Sequence, residues 1–315
     1  MQIAFVKCHG SGNDFPLIDA RAMRLSDGEW RAVARALADR DGPVGGDGIL
    51  LLTEGDADCA FGMRMLNPDG SEAETCLNGL RCVARAGFEA LGIDHARVRL
   101  KTSTAEVARE APIAPGVVTI RTVAGPAAIE PAAVGLVGID APVIDAAIPG
   151  LPDAGRFTAI AMPNPHLVRF VETVDEAALV ALGDWCEAGP ALIPARANVS
   201  FVELRGADAL FVRTYERGVG LTDSCGSAMA ASTLAAGLTG RIAFGTEVRV
   251  FNKGGLVRGR ASAERVVTIS GNASFLYDAT VEVDLAAASA GVPNIHARRY
   301  DEVAAWEAAL AALRA

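Results

Sequence analysis

Two stretches decide how this chain of 315 residues is read: ETCLNGLRCVARAGFEALG (74–92) and DSCGSAMAASTLAAGLTG (223–240). In each, a polar turn delivers a cysteine, Cys76 or Cys225, and small and apolar residues follow, which predicts a helix with the cysteine at its start. A helix N-terminus has unpaired N–H groups and a partial positive charge. It lowers the pKa of a thiol and binds a carboxylate. Two such termini could remove a proton from one face of an amino acid and return it to the other.

Outward from these helices the two halves follow one plan. Strands are expected at about 2–7, 15–19, 48–53 and 60–66, with a helix at about 26–40 whose cap candidates are Ser26 and Asp27. After the Cys76 helix come strands near 97–102 and 116–122. Residues 123–156, rich in Ala, Pro and Gly, read as the passage between domains. The second half repeats the order, with strands at 157–161 and 167–171, a helix near 174–188 and strands at 199–204 and 210–215. The Cys225 helix follows, then strands near 246–252, 255–260 and 266–271. A strand at 275–284 could return to the first domain, which gives domains at 1–122 (with 275–284) and 123–274. The extension 285–315 contains an amphipathic helix near 298–314, with Val303, Trp306, Leu310 and Leu313 on one stripe, read as a packing helix.

Hydrophobic residues at 51% and charged ones at 21% match a globular protein large enough for two cores. A net charge of −9 argues against nucleic acid or an anionic membrane as partner. The start MQIAFVKCHGSGNDF lacks a basic region followed by an apolar one, and no apolar run reaches membrane-spanning length, so a cytoplasmic protein is expected. Six cysteines without CxxC spacing suggest free thiols and no metal site. Cys8, Cys59, Cys82 and Cys186 read as structural, and His95 and His296 have no neighbours that suggest catalysis.

Several segments carry polar groups suited to a small ligand. HGSGNDF (9–15) places two glycines, Asn13 and Asp14 between a strand and Phe15. In MRMLNPDGSEAETCLNGLRC (63–82), Asn67 and Asp69 begin a turn, Glu72 and Glu74 precede Cys76, and Asn78 follows it. FVRTYERGVGLTDSCGSA (211–228) ends a strand with Glu216 and Arg217 before a glycine turn leads to Cys225, Gly226 and Ser227. An Arg beside free helix N–H groups makes a carboxylate receptor. PNPH (163–166) and Asn198 add amides.

Taken in order, HGSGNDF, NPDGSEAETCLNGLR, PNPH, ERGVG and CGS resemble the diaminopimelate epimerase family over residues 1 to about 284. The resemblance implies an α+β fold of two pseudo-symmetric domains, each a curved, mostly antiparallel sheet around a central helix. It implies an isomerase with no cofactor that interconverts LL- and meso-diaminopimelate for lysine and peptidoglycan precursors. Cys76 and Cys225 match its two catalytic bases. Asn13, Asn67, Asn164, Asn198 and Arg217 match substrate-holding positions. Glu216 and the groups of Leu77, Asn78, Gly226 and Ser227 match contacts around the reacting centre, and Tyr277 matches a tyrosine at the family's homodimer contact.

The chain departs from the family pattern in three places. Leu77 stands where glycine usually follows the first cysteine, Leu221 replaces a glutamate in Gly-Glu-Thr, and Ala228-Met229 stands where Gly-Ala is common. These keep two alternatives open: a related racemase acting on another amino acid such as histidine, and a non-catalytic ligand-binding or redox-sensing protein.

Overall fold

In a computed structural model, residues 1–73, 76–162 and 164–312 are described; Glu74, Thr75, Pro163 and Leu313 from the segments above fall outside them. Six helices are present among these residues: α1 (Asp27–Ala38), α2 (Leu77–Leu91), α3 (Pro131–Val134), α4 (Glu176–Glu187), α5 (Gly226–Leu238) and α6 (Tyr300–Ala312). The chain forms two units, one of residues 1–122 with 270–315 and one of residues 123–269.

In the first unit, Gln2–Gly10 pairs antiparallel with Asn13–Asp19 on one side and with Ser274–Asp284 on the other. Asn13–Asp19 then runs parallel to Ile49–Glu54, which pairs antiparallel with Phe61–Leu66. A second parallel step joins Phe61–Leu66 to His95–Arg99, and antiparallel Thr104–Glu110 follows. The sheet bends around α2, which packs against strands from Gln2–Gly10 through Thr104–Glu110. Helix α1 covers the other face, where Trp30, Val33 and Leu37 meet Ile3, Ile18, Ile49 and Val281. Its start is the capping box that Ser26 and Glu29 spell: Ser26 Oγ accepts from the Glu29 N–H, and Glu29 Oε2 accepts from the Ser26 N–H.

The second unit repeats this topology step for step. Thr158–Ala161 pairs antiparallel with Pro165–Val171, which runs parallel to Asn198–Leu204. Asn198–Leu204 pairs antiparallel with Ala209–Glu216, which takes a parallel step to Val248–Asn252 and then antiparallel Gly255–Ala261. Helix α5 lies against the same strands as α2 does in its unit, and α4 takes the place of α1. The α+β architecture expected from the sequence is therefore present.

The elements that the sequence did not announce are short or polar. Thr104–Glu110 alternates as strands do, but two glutamates and an arginine disguise it, and the expected strand at 97–102 ends at Arg99 because residues 101–103 bend. Gly220–Thr222 has three residues, and Asn294–Arg298 is an edge strand along Ser274–Asp284. Helix α6 packs on the first unit: Trp306 is buried with its ring 5.7 Å from that of His9. Glu302 holds the Arg85 guanidinium through both carboxylate oxygens and accepts from the Phe275 N–H at 3.1 Å.

Candidate active site

In the first unit Cys76 is the N-cap of α2, with extended backbone (φ −148°, ψ 101°). Its sulfur accepts the Gly79 N–H at 3.3 Å, the bond an N-cap oxygen would make. The thiol also faces Asn13 Oδ1 at 3.7 Å. Cys76 is half-buried, so its sulfur sits at a helix terminus yet within reach of a ligand. Asn13 in turn donates to Asp47, and Asp14 and Asp47 share the guanidinium of Arg40, with Lys7 2.6 Å from Asp14. Two cations and two anions thus close on one another behind Asn13.

The end of the strand Gln2–Gly10 reaches α2 only because position 10 is glycine: a Cβ there would lie 2.6 Å from the Asn78 carbonyl oxygen. Asn78 is buried, and its Oδ1 accepts from Arg81. Leu77 packs its side chain inside the unit at 7% exposure. Asn67 closes the Asn67–Ser71 turn, with its side chain donating to Ser71 Oγ at 3.0 Å. Asn13, Cys76 and Asn78 therefore converge on the start of α2, while the polar contacts of Asn67 stay within its own turn.

In the second unit Cys225 is the N-cap of α5 in the same extended conformation (φ −123°, ψ 111°). It is more buried, and its thiol lies 3.4 Å from Ser227 Oγ. Burial pushes this thiol well above the ordinary cysteine value, and the Glu216 carboxylate pushes the same way; the Ser227 hydroxyl and the Ala228 N–H oppose them. Glu216 is tied by Thr222, whose hydroxyl donates to it at 2.6 Å. That threonine is the part of the altered Gly220-Leu221-Thr222 segment that faces Glu216; Leu221 itself is 37% exposed.

Behind Glu216, the buried Asn198 accepts the Arg217 N–H at 2.9 Å on Oδ1, and its Nδ2 has no partner among the described residues. Across the parallel pair of strands, Asn198 lies opposite His166, whose Nε2 is 3.0 Å from Asn164 Oδ1. His166 is wholly enclosed, and burial, with the positive charge of Arg217, lowers its pKa to about 3, so the ring is neutral. Glu216, Arg217, Asn198, Cys225, Gly226 and Ser227 thus fall into one neighbourhood, with Asn164 joined to it through His166.

Several residues without a functional signal in the sequence pattern are brought to these sites by the fold. Arg81, Asp47, Thr222 and Asn272 each hold a site residue or its neighbour. Asp47 had a visible signal, the glycine-flanked turn GGDG (45–48), whereas Asn272 reaches Ser11 across 261 residues of sequence. Among the described residues no cluster of three or more His, Cys, Asp or Glu is placed to hold a metal ion, and no helix is long and apolar enough to cross a membrane.

Solved structures with the same architecture cover 90% of this chain. They include a phenazine biosynthesis protein of the PhzF family from Bacillus anthracis, covered in full (14% identity, TM-score 0.63). A hydroxyproline epimerase from Agrobacterium vitis is covered to 92% (15% identity, TM-score 0.61). A duplicated α+β fold with one N-capping cysteine per half is the class defined by the strand order and the two helix starts. The diaminopimelate epimerase family model matches residues 5–113 and 158–276. Diaminopimelate epimerase of Clostridium acetobutylicum is 36% identical over 90% of this chain and 87% of its own length. That of Lactiplantibacillus plantarum is 36% identical over 90% and 91%, and that of Enterococcus faecalis 38% over 82% and 81%. This chain belongs to the diaminopimelate epimerase family.

Proposed function

We propose that this chain is an isomerase that interconverts LL- and meso-diaminopimelate without a cofactor, with Cys76 and Cys225 as its two bases. The observation that carries the reading is the equivalence of the two cysteines: each caps the helix that its sheet surrounds, at the same step of a repeated topology. In each turnover one sulfur, as thiolate, takes the proton from Cα. The other, as thiol, gives a proton to the opposite face, so the centre inverts.

The Cα–H of an amino acid is a very weak acid, and the carbanion must be stabilised by fixed dipoles. The backbone N–H groups that follow Cys76 and Cys225 at the starts of α2 and α5 supply them. Removing one such donor typically costs about 100- to 1,000-fold in rate. Asn13, Asn67, Asn164, Asn198 and Arg217 hold the polar ends of the substrate. Leu77, Asn78, Gly226, Ser227 and Glu216 surround the reacting carboxylate. The retained Asn67, Asn198 and Arg217 favour a substrate with a second polar head, as do relatives named for diaminopimelate; the racemase and non-catalytic alternatives gain no comparable support.

The test is solvent exchange. LL-diaminopimelate in deuterium oxide should gain deuterium at the centre that inverts, while a panel of other L-amino acids, histidine included, should not. Cys76→Ser and Cys225→Ser should each abolish net epimerisation. Wild-type turnover in both variants would overturn the two-thiol reading. We further propose that the enzyme works in the cytoplasm as a homodimer with Tyr277 at the contact; sedimentation at the mass of one chain would refute the dimer.

A further inference from the structure

Three arginines are buried among the described residues, and two of them are matched by carboxylates. Arg85 is held by Glu89 and Glu302, and Arg213 by Glu176 and Asp223. Arg81, with no exposed surface, is different. Its Nε donates to the Asn272 carbonyl oxygen at 3.0 Å, and its Nη2 donates to Ser11 Oγ and Asn78 Oδ1, each at 3.0 Å. Nη1 has no hydrogen-bond partner among the described residues. All three acceptors are neutral. A buried charge without a counter-ion is costly, and an unpaired buried N–H adds to the cost.

The cradle itself is built. Ser11 is held at φ 52° with its N–H on Asn272 Oδ1 at 2.7 Å, and Asn272 Nδ2 is fixed by Ser274 Oγ and the His9 carbonyl. The guanidinium therefore keeps one position in the first turns of α2, five residues after Cys76. The ionisable groups around it are Cys76 and Cys82 on α2 and His9 on the strand Gln2–Gly10. His9 is neutral, since burial takes its pKa down to about 4. Cys82 is wholly buried beside the Cys8 thiol, which burial pushes well above its ordinary value. On the Asn13 side, Lys7, Arg40, Asp14 and Asp47 are paired with one another. Among the described residues, the one neighbour both open to a ligand and able to bear a negative charge is Cys76.

We propose that Arg81 is a positioning residue for proton transfer at Cys76: its guanidinium is the fixed counter-charge of the Cys76 thiolate. The role rests on the two-thiol reading, but it is tested on Cys76 alone, without substrate. When the sulfur gives up its proton to solvent, the pair becomes cation and anion. When it takes the Cα proton, the buried cation again stands without a partner. Nothing equivalent follows Cys225, where the fifth residue on is Ala230.

The experiment is alkylation of the full-length reduced protein by iodoacetamide from about pH 6 to 9, with the label on Cys76 followed by peptide mass spectrometry, since the thiolate is the reacting form. Arg81→Gln should slow Cys76 labelling at neutral pH by about tenfold or more and move its pH dependence upward, the change expected for one pKa unit. Arg81→Lys should largely restore it, and Cys225 labelling should not change. Ser11→Asp leaves the guanidinium in place but pairs it with a carboxylate, and should slow Cys76 labelling likewise; it carries the test alone if Arg81→Gln does not fold. Wild-type pH dependence of Cys76 labelling in a folded Arg81→Gln or Ser11→Asp protein would overturn the proposal. Slowed labelling with no deuterium exchange in the wild type would keep the Arg81 role and reject the epimerase reading instead.

Discussion

The starts of α2 and α5 are the same structure given opposite charges. Both present a cysteine as N-cap, with extended backbone and helix N–H groups beyond it. Around Cys76 the buried ionised group is a cation, Arg81, and the sulfur is half-buried. Around Cys225 the nearby ionised group is an anion, the partly exposed Glu216, and the sulfur is more enclosed. A duplicated fold thus supplies two equivalent thiols, and a single charged residue near each separates a site favouring thiolate from one favouring thiol. A two-base reaction needs that difference, because one base must start without its proton and the other with it.

The comparison breaks most severely if either sulfur is dispensable. Cys76→Ala and Cys225→Ala should each reduce epimerisation, followed by loss of optical rotation, by at least about 1,000-fold, within the range of a lost proton-transfer group. A smaller and sharper test is Glu216→Gln. The Glu216 charge raises the Cys225 pKa, so its removal should lower it. The high-pH limb of the kcat/KM profile should then move to lower pH; a fall in rate with no movement of that limb would mean that Glu216 only shapes the site.

The next test concerns stability, and each unit provides one probe. His9 and His166 are held at about 4 and about 3, below the ordinary value of 6.5, so the folded chain keeps both neutral while the unfolded chain protonates near pH 6.5. Their contribution is complete above pH 6.5 and is lost as pH falls toward those lower values. Each should cost about 1.4 kcal/mol per pH unit in that window. Urea unfolding at several pH values should show this slope, and His9→Gln or His166→Gln should each flatten it; an unchanged slope in both variants would deny the burial effect. The smallest effect is expected at Leu221. It is partly exposed on a three-residue strand, so Leu221→Glu should shift stability by no more than about 0.5 kcal/mol in thermal unfolding.

Much of this organisation was legible in the sequence where the signals are local. A polar turn, a cysteine and a run of small residues announced α2 and α5, and Ser26 with Asp27 announced α1, whose cap proves to be Ser26. What stayed hidden depends on residues distant along the chain. Arg81 reads as one more basic residue of a helix until Ser11 and Asn272 are placed around it. The polar face of α6 conceals its anchor, because the Arg85–Glu302 pair spans 217 residues. Of the three departures from the family pattern, Leu77 proves to be buried packing and Leu221 partly exposed surface, while Thr222 beside it keeps its bond to Glu216. A residue's difference from its relatives does not say which of these it will be.

The discontinuity of the first unit has a consequence for how the protein is made. Gln2–Gly10, the strand that touches α2, has Ser274–Asp284 as one of its two sheet partners, and α6 seals the same unit. A ribosome must therefore release nearly the whole chain before the Cys76 unit can close. The Cys225 unit, contiguous from residue 123 to 269, is complete while synthesis is still under way. The half made first is the half finished last, and until then an open edge of Gln2–Gly10 is exposed to other nascent chains.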